Sequence, residues 1–188
     1  MGLEVEYIVL LISVIFSFGA TFFSVPWIIP RLKERKLFGI DMNKPEKPKI
    51  PEMGGLSVVF GFFFGIYILI IIDFFYLEGE GVTPYLLASL VTILGIAFLG
   101  LLDDLMGLSQ KTKAILPFFF SLHLGVFVPS MMFIPLIGYI DFGSLMIVMV
   151  PIGITCASNS ANMLEGFNGL GTGLGLIITA TLIIISFI

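Results

Sequence analysis

Long uncharged stretches alternate with short polar ones along this chain. Residues 7–30, 53–72, 81–102, 114–140, 142–164 and 166–188 each run without a charged side chain. An apolar, uncharged run of 18 or more residues is long enough to cross a bilayer. Backbone in lipid must satisfy its own hydrogen bonds, so such runs become helices. The run from Ala114 is too long for one crossing and carries Pro129 and Pro135. It predicts a helix to about Val128, then an extramembrane loop. The pattern as a whole predicts an all-α integral membrane protein, a polytopic helical bundle of about six transmembrane helices in one membrane domain, 1–188.

Composition agrees. Mean hydropathy is +1.13, and only 12% of residues are charged, about half the fraction of a soluble domain. A signal peptide is not expected, because the N-terminal residues hold Glu4 and Glu6 and no basic residue. The net charge of −4 hides a pattern. All nine basic residues fall in two clusters, Arg31 to Lys49 and Lys111 with Lys113. The positive-inside rule assigns both to the cytoplasm. The alternating segments 1–6, 73–81 and 129–142 contain no Lys or Arg. With the N-terminus outside, six crossings place both clusters on one face without adjustment. The basic loops suit anionic membrane lipid, and nothing calls for a nucleic acid. The lone Cys156 excludes an intrachain disulfide or thiolate metal cluster. Gly169, Gly171, Gly173 and Gly175 do not fit a dinucleotide fingerprint, and their GxxxG spacings predict close helix packing. His123, on an apolar stretch, is expected to pack or hydrogen-bond rather than bind metal.

Three segments on the basic face carry polar chemistry. The first, 41–55, holds three prolines in seven residues and enters the second helix through Pro51-Glu52-Met53-Gly54-Gly55. Prolines stop a helix, and the two glycines offer close approach or positive φ. Attraction to anionic lipid explains its charge but not the rigid entry. The second, 100–113, places Asp103 beside Asp104, with Lys111 and Lys113 following. Adjacent carboxylates at a membrane boundary are costly. A solvated helix end tolerates them, but with the lysines they suit a divalent cation and phosphates, because magnesium takes one or two carboxylates plus substrate phosphates. The third, 159–170, holds Asn159, Asn162, Glu165 and Asn168, broken by Gly166 and Gly169. Asn159 and Asn162 share a helical face. Interhelical hydrogen bonding would occupy one such amide; the cluster is richer than that requires.

Pro-Glu-Met-Gly-Gly at 51–55, Leu-Asp-Asp-Leu-Met-Gly-Leu at 102–108 with Lys113, and Asn-Ser-Ala-Asn-Met-Leu-Glu-Gly-Phe-Asn-Gly at 159–169, in this order, resemble the polyprenyl-phosphate N-acetylhexosamine-1-phosphate transferases, glycosyltransferase family 4. Asn43-Lys44, Ile50-Pro51-Glu52 and Gly166-Phe167-Asn168-Gly169 look closer to the eukaryotic and archaeal branch, and the short loops to an archaeal member. Glu165 departs from both branches. The resemblance implies transfer of GlcNAc-1-phosphate from UDP-GlcNAc to dolichyl or polyprenyl phosphate, releasing UMP, the first lipid-linked step of N-glycosylation. It implies Mg2+, with Mn2+ as a substitute, and Asn162 as a ligand. Gly166 would lie under uracil and Asn168 at its edge. Glu52 and the backbone near Met42 would line the nucleoside pocket. Lys113 would contact the diphosphate, Asp103 and Asp104 would serve the acceptor phosphate, and Lys47 would sit near the lipid phosphate. A cell-membrane location with cytoplasmic active-site loops follows (the endoplasmic reticulum in a eukaryote), and a homodimer is compatible.

The family's members are longer, with roughly ten membrane helices and a further metal-ligating Asp in later loops. The resemblance therefore implies an N-terminal portion that is inactive alone. A transporter or channel fragment would place polar residues near helix centres, whereas these crowd at one end. A CDP-alcohol phosphotransferase lacks support because its spaced Asp signature is absent. A noncatalytic homologue remains the other class of reading.

Overall fold

The computed structural model describes residues 3–76, 79, 81–164 and 169–186. They fall into two compact units, one of residues 1–41 and 47–108, the other of 42–46 and 109–188.

The first unit opens with α1 (Leu3–Glu34). Pro30 does not end this helix, as the uncharged run suggested; Lys36 does. Lys36 takes φ 61°, and the Lys36 and Leu37 amides donate to the Lys33 and Leu32 carbonyls at 3.0 and 2.9 Å. This is a Schellman closure with lysine in the left-handed position that usually holds glycine. A hairpin follows, β1 (Phe38–Ile40) paired antiparallel with β2 (Lys49–Pro51), Gly39 opposite Ile50. Next come α2 (Gly55–Tyr76) and α3 (Pro84–Met106).

Small side chains set the α1–α2 contact. A Cβ on Gly61 would collide with Thr21 and stand 2.7 Å from the Ser17 carbonyl; one on Gly65 would stand 2.8 Å from Ser17 Cβ and 3.0 Å from the Ser13 carbonyl. Ascending positions on α2 meet descending ones on α1, so the helices run antiparallel. Ser13, Ser17 and Thr21 recur every four residues opposite Gly61 and Gly65, with the buried Ser57 one turn earlier on α2, the small-xxx-small device that lets membrane helices approach closely. At the far end of α2, Asp73 is buried and its two carboxylate oxygens accept from the Gly81 amide at 3.0 and 3.2 Å. That clasp closes the turn into α3, whose first turn has Thr83 as N-cap and Pro84 behind it.

The second unit contains α4 (Gln110–Ser121), the single turn α5 (Leu124–Phe127), a hairpin of β3 (Met131–Ile134) and β4 (Gly138–Asp141), a 3-10 turn (Gly143–Leu145), α6 (Met146–Leu164) and α7 (Leu170–Ser186). The expected fourth helix is therefore broken at Leu122–His123. The Ser121 hydroxyl donates to the Pro117 carbonyl at 2.7 Å, a back-bond that bends helices, and α5 presses on α6: a Cβ on Gly125 would stand 2.5 Å from Ile147 Cα. His123 lies at this break and is partnered.

Among the described residues, four helical stretches are long and apolar enough to cross a bilayer: 7–34, 55–76, 84–106 and 143–164. The apolar α7 has 17 residues, the lower end of the spanning range. The chain is thus an all-α polytopic membrane protein whose connections carry two short hairpins. The sequence foresaw only loops there. Close packing at the tail glycines is not seen, since a Cβ on Gly173 or Gly175 would meet nothing within 4 Å.

Candidate functional site

The first polar segment is the β1–β2 hairpin. Its register places Glu52 diagonally across from Gly39, and the exposed Glu52 side chain folds back over that glycine. A Cβ on Gly39 would collide with Glu52 Oε1 and stand 3.2 Å from its Cδ. Gly39 is therefore a seat for the Glu52 carboxylate. The positive φ expected of Gly54 or Gly55 falls instead on Met53, at 63°, because the first turn of α2 forms at once: Leu56 and Ser57 donate to the Met53 and Gly54 carbonyls. Both glycines border open space. Lys47 has φ 43° and is exposed, as is Met42. Lys49 lies over the Phe38 ring at 4.7 Å, a cation–π contact across the hairpin. Asp41, which no motif singles out, is a buried carboxylate at the root of the tip; its amide donates to the Pro48 carbonyl at 3.0 Å.

Asp103 and Asp104 end α3. The half-buried Asp103 accepts from the Leu108 amide at 3.0 Å through its carboxylate and from the Gly107 amide at 2.8 Å through its carbonyl. Gly107, at φ 63°, makes the left-handed cap. Asp104 is exposed. Two carboxylates at a helix C-terminus oppose the macrodipole, at about 0.3–1 kcal/mol each. Such a breach of local preference is what functional sites show. Two successive crossings, by α2 and α3, return this end to the membrane face that carries the hairpin.

Within the second unit, Lys113 lies in the first turns of α4, behind Ser109, whose hydroxyl accepts from the Thr112 amide at 3.2 Å. Because α5 meets the start of α6 while α4 packs along α6, α4 and α6 run antiparallel. Lys113 therefore shares an end with Asn159 and Asn162. These asparagines belong to the last turns of α6 rather than to a loop. Asn159 Nδ2 donates to the Thr155 carbonyl at 2.9 Å; Asn162 is exposed. Gly166 and Asn168 lie outside the described residues. Among the described residues, no three His, Cys, Asp or Glu side chains cluster closely enough to hold a metal ion.

The chain is similar to known proteins over most of its length. The model of glycosyl transferase family 4 matches residues 86–188, more than half of the chain. A protein of Saccharolobus solfataricus, provisionally named a UDP-N-acetylglucosamine–dolichyl-phosphate N-acetylglucosaminephosphotransferase, is 39% identical over 176 residues, 92% of this chain and 53% of that protein. A provisionally named glycosyltransferase of Methanocaldococcus jannaschii is 34% identical over 80% of this chain and 42% of its own length. A phospho-N-acetylmuramoyl-pentapeptide-transferase of Borrelia garinii is 30% identical over 94% of this chain and 54% of its own length. The chain spans about half the length of the curated relatives it matches. The motif order, the all-helical membrane architecture and the family match converge: the chain belongs to glycosyl transferase family 4.

Proposed function

We propose that the protein carrying this chain transfers N-acetylglucosamine-1-phosphate from UDP-GlcNAc to a membrane polyprenyl or dolichyl phosphate and releases UMP. The observation that carries this reading is the 39% identity, across 92% of the chain, to an archaeal relative named for that reaction. A transporter reading is disfavoured because Asp103, Asp104 and Asn162 sit at helix ends, not along a path through the helices.

In this reaction a lone pair on the acceptor phosphate attacks the β-phosphorus of UDP-GlcNAc. A new P–O bond forms as the bond from that phosphorus to the bridging oxygen breaks, and the bonding pair leaves with UMP. No proton must move first, so positioning and charge neutralisation carry the catalysis. Lys113 is suited to the diphosphate, since an ammonium is a compact partner for phosphate oxygens. Lys47, exposed at the hairpin, is suited to the acceptor's phosphate. Glu52, seated on Gly39, and the backbone near Met42 would border the nucleoside, with Gly166 and Asn168 completing the uracil contacts. Asp103, which also caps α3, and the exposed Asp104 would together organise the acceptor site.

The described donor set suits a magnesium ion carried on substrate phosphates rather than one caged by protein carboxylates. Asn162 offers it a neutral amide oxygen; Mn2+ would fit the same donor. The ion, when bound, supplies neutralisation of the diphosphate charge. The basic ends of these helices favour a cytoplasmic site and an external N-terminus. In membranes containing the protein, UDP-GlcNAc and polyprenyl phosphate together should yield UMP, and neither alone should. Release of UDP instead would mean simple glycosyl transfer, and no nucleotide release would refute the proposal.

A further inference from the structure

The β3–β4 hairpin is built with an unusual tip. Ile137 donates from its amide to the Ile134 carbonyl at 3.1 Å, closing a four-residue turn over Pro135 and Leu136. Proline in its second position and φ 74° at Leu136 make this a type II turn. The third position of such a turn belongs to glycine or asparagine, because a Cβ is crowded there. Here it holds leucine, and that leucine is 106% exposed, with Ile137 at 69% and Tyr139 at 75%. The Phe133 and Tyr139 rings meet at a tilt of 57°, with centroids 5.2 Å apart. In water this arrangement loses twice, once through a strained backbone and once through bared apolar surface.

The hairpin's polarity is graded along its length. No charge occurs from Pro129 to Ile140. At the root, Ser130 and the Gly143 amide hydrogen-bond Asp141 and hold its carboxyl below the usual carboxylate range. The root therefore carries a hydrogen-bonded carboxylate. The tip, four paired residues away, is about 13 Å off at strand rise. The root also lies five residues before α6, so the hairpin leaves the protein at the boundary of a membrane-spanning helix. Leu145, Ile147 and Val148 continue the exposed apolar surface at that helix's start. A two-stranded hairpin is at best marginally stable alone in water, so this one gains from an apolar medium.

We propose that the β3–β4 hairpin is a membrane anchor: it lies in the bilayer interface with Leu136 and Ile137 in the acyl region and Asp141 in water. The lipid surface, not a protein, is the partner. The hairpin springs from the start of the membrane-spanning stretch 143–164, which sets it beside lipid, and its two aliphatic tip residues and tyrosine suit the headgroup boundary.

Nitroxide labelling tests this in the whole protein, reconstituted in nanodiscs and carrying Cys156→Ala. Labels at Leu136→Cys and at Ile137→Cys should collide more with dissolved oxygen than with a water-soluble nickel chelate, and a label at Asp141→Cys should show the reverse. All three positions are exposed, so the label displaces no packing. Nickel-dominated collisions at position 136 or 137 would place the tip in water and overturn the proposal. Low collision rates with both reagents would mean that protein covers the tip, which overturns it equally.

Discussion

Gly39→Ala isolates the contribution of a carboxylate's position from that of its presence. The backbone at Gly39 is ordinary strand without positive φ, so alanine fits it, and replacing a strand glycine gains up to about 0.5–1 kcal/mol in folding. The new Cβ collides with Glu52 Oε1 and leaves only 3.2 Å to Cδ and 3.4 Å to Cγ. Only the end of a flexible side chain has to give, so the hairpin persists while the carboxylate swings away by about 1 Å. A misplacement of that size costs up to about 10²-fold. The expected loss in kcat/KM for UDP-GlcNAc is about 10- to 100-fold, or 1.4–2.7 kcal/mol, with most of it in KM. The assay is steady-state UMP release beside thermal unfolding of the same preparation. In a Glu52→Ala background, Gly39→Ala should cost almost nothing further, because the group it displaces is gone. Unchanged kinetics in Gly39→Ala, or an equal loss in both backgrounds, would refute the seat.

Asp104→Asn should fold normally and lower turnover by about 10²-fold, whereas Asp103→Ala should also lower stability by about 1 kcal/mol through loss of the α3 cap; wild-type turnover in Asp104→Asn would return the pair to a solvated helix end. Gly61→Val should lower the unfolding temperature in detergent by forcing α1 and α2 apart, at about 1–3 kcal/mol, while Gly19→Val, where a Cβ meets open space, should not; equal effects would remove the small-residue seam. Hydrogen bonds from Ser130 and the Gly143 amide hold the Asp141 carboxyl below its ordinary value of 3.8, so its contacts are fully present above that pH and are lost as pH falls through the lower value. Protection of the Gly143 amide against hydrogen exchange, corrected for intrinsic rate, should therefore hold above 3.8 and drop only in stronger acid, and Asp141→Asn should abolish that step.

Much of the architecture is legible because lipid imposes a coarse rule. Charge-free runs of sufficient length must become helices, and 7–34, 55–76, 84–106 and 143–164 did. What escaped the sequence depends on pairwise geometry. Whether 114–128 forms one helix depends on Ser121 back-bonding to Pro117 and on Gly125 meeting Ile147, neither of which leaves a periodic trace. The two hairpins read as loops because strands of three and four residues carry too little alternation to register. The Ser13–Ser17–Thr21 and Gly61–Gly65 spacings are present in the sequence, but only the paired helices show that they face each other. The candidate site residues were proposed from motifs, which are legible without a fold. The Gly39 seat was not, since only the strand register sets it against Glu52. The burial of Asp41 likewise emerges only from the folded hairpin.

The central claim is that the phosphorus travels with the sugar. The direct measurement supplies the protein, in membranes with Mg2+ and dolichyl phosphate, with UDP-GlcNAc carrying 32P in the β-phosphate and 14C in the sugar. The account predicts that both labels enter the lipid in a 1:1 ratio and that unlabelled UMP is released. Carbon label entering the lipid without phosphorus label, with labelled UDP left in solution, would contradict it.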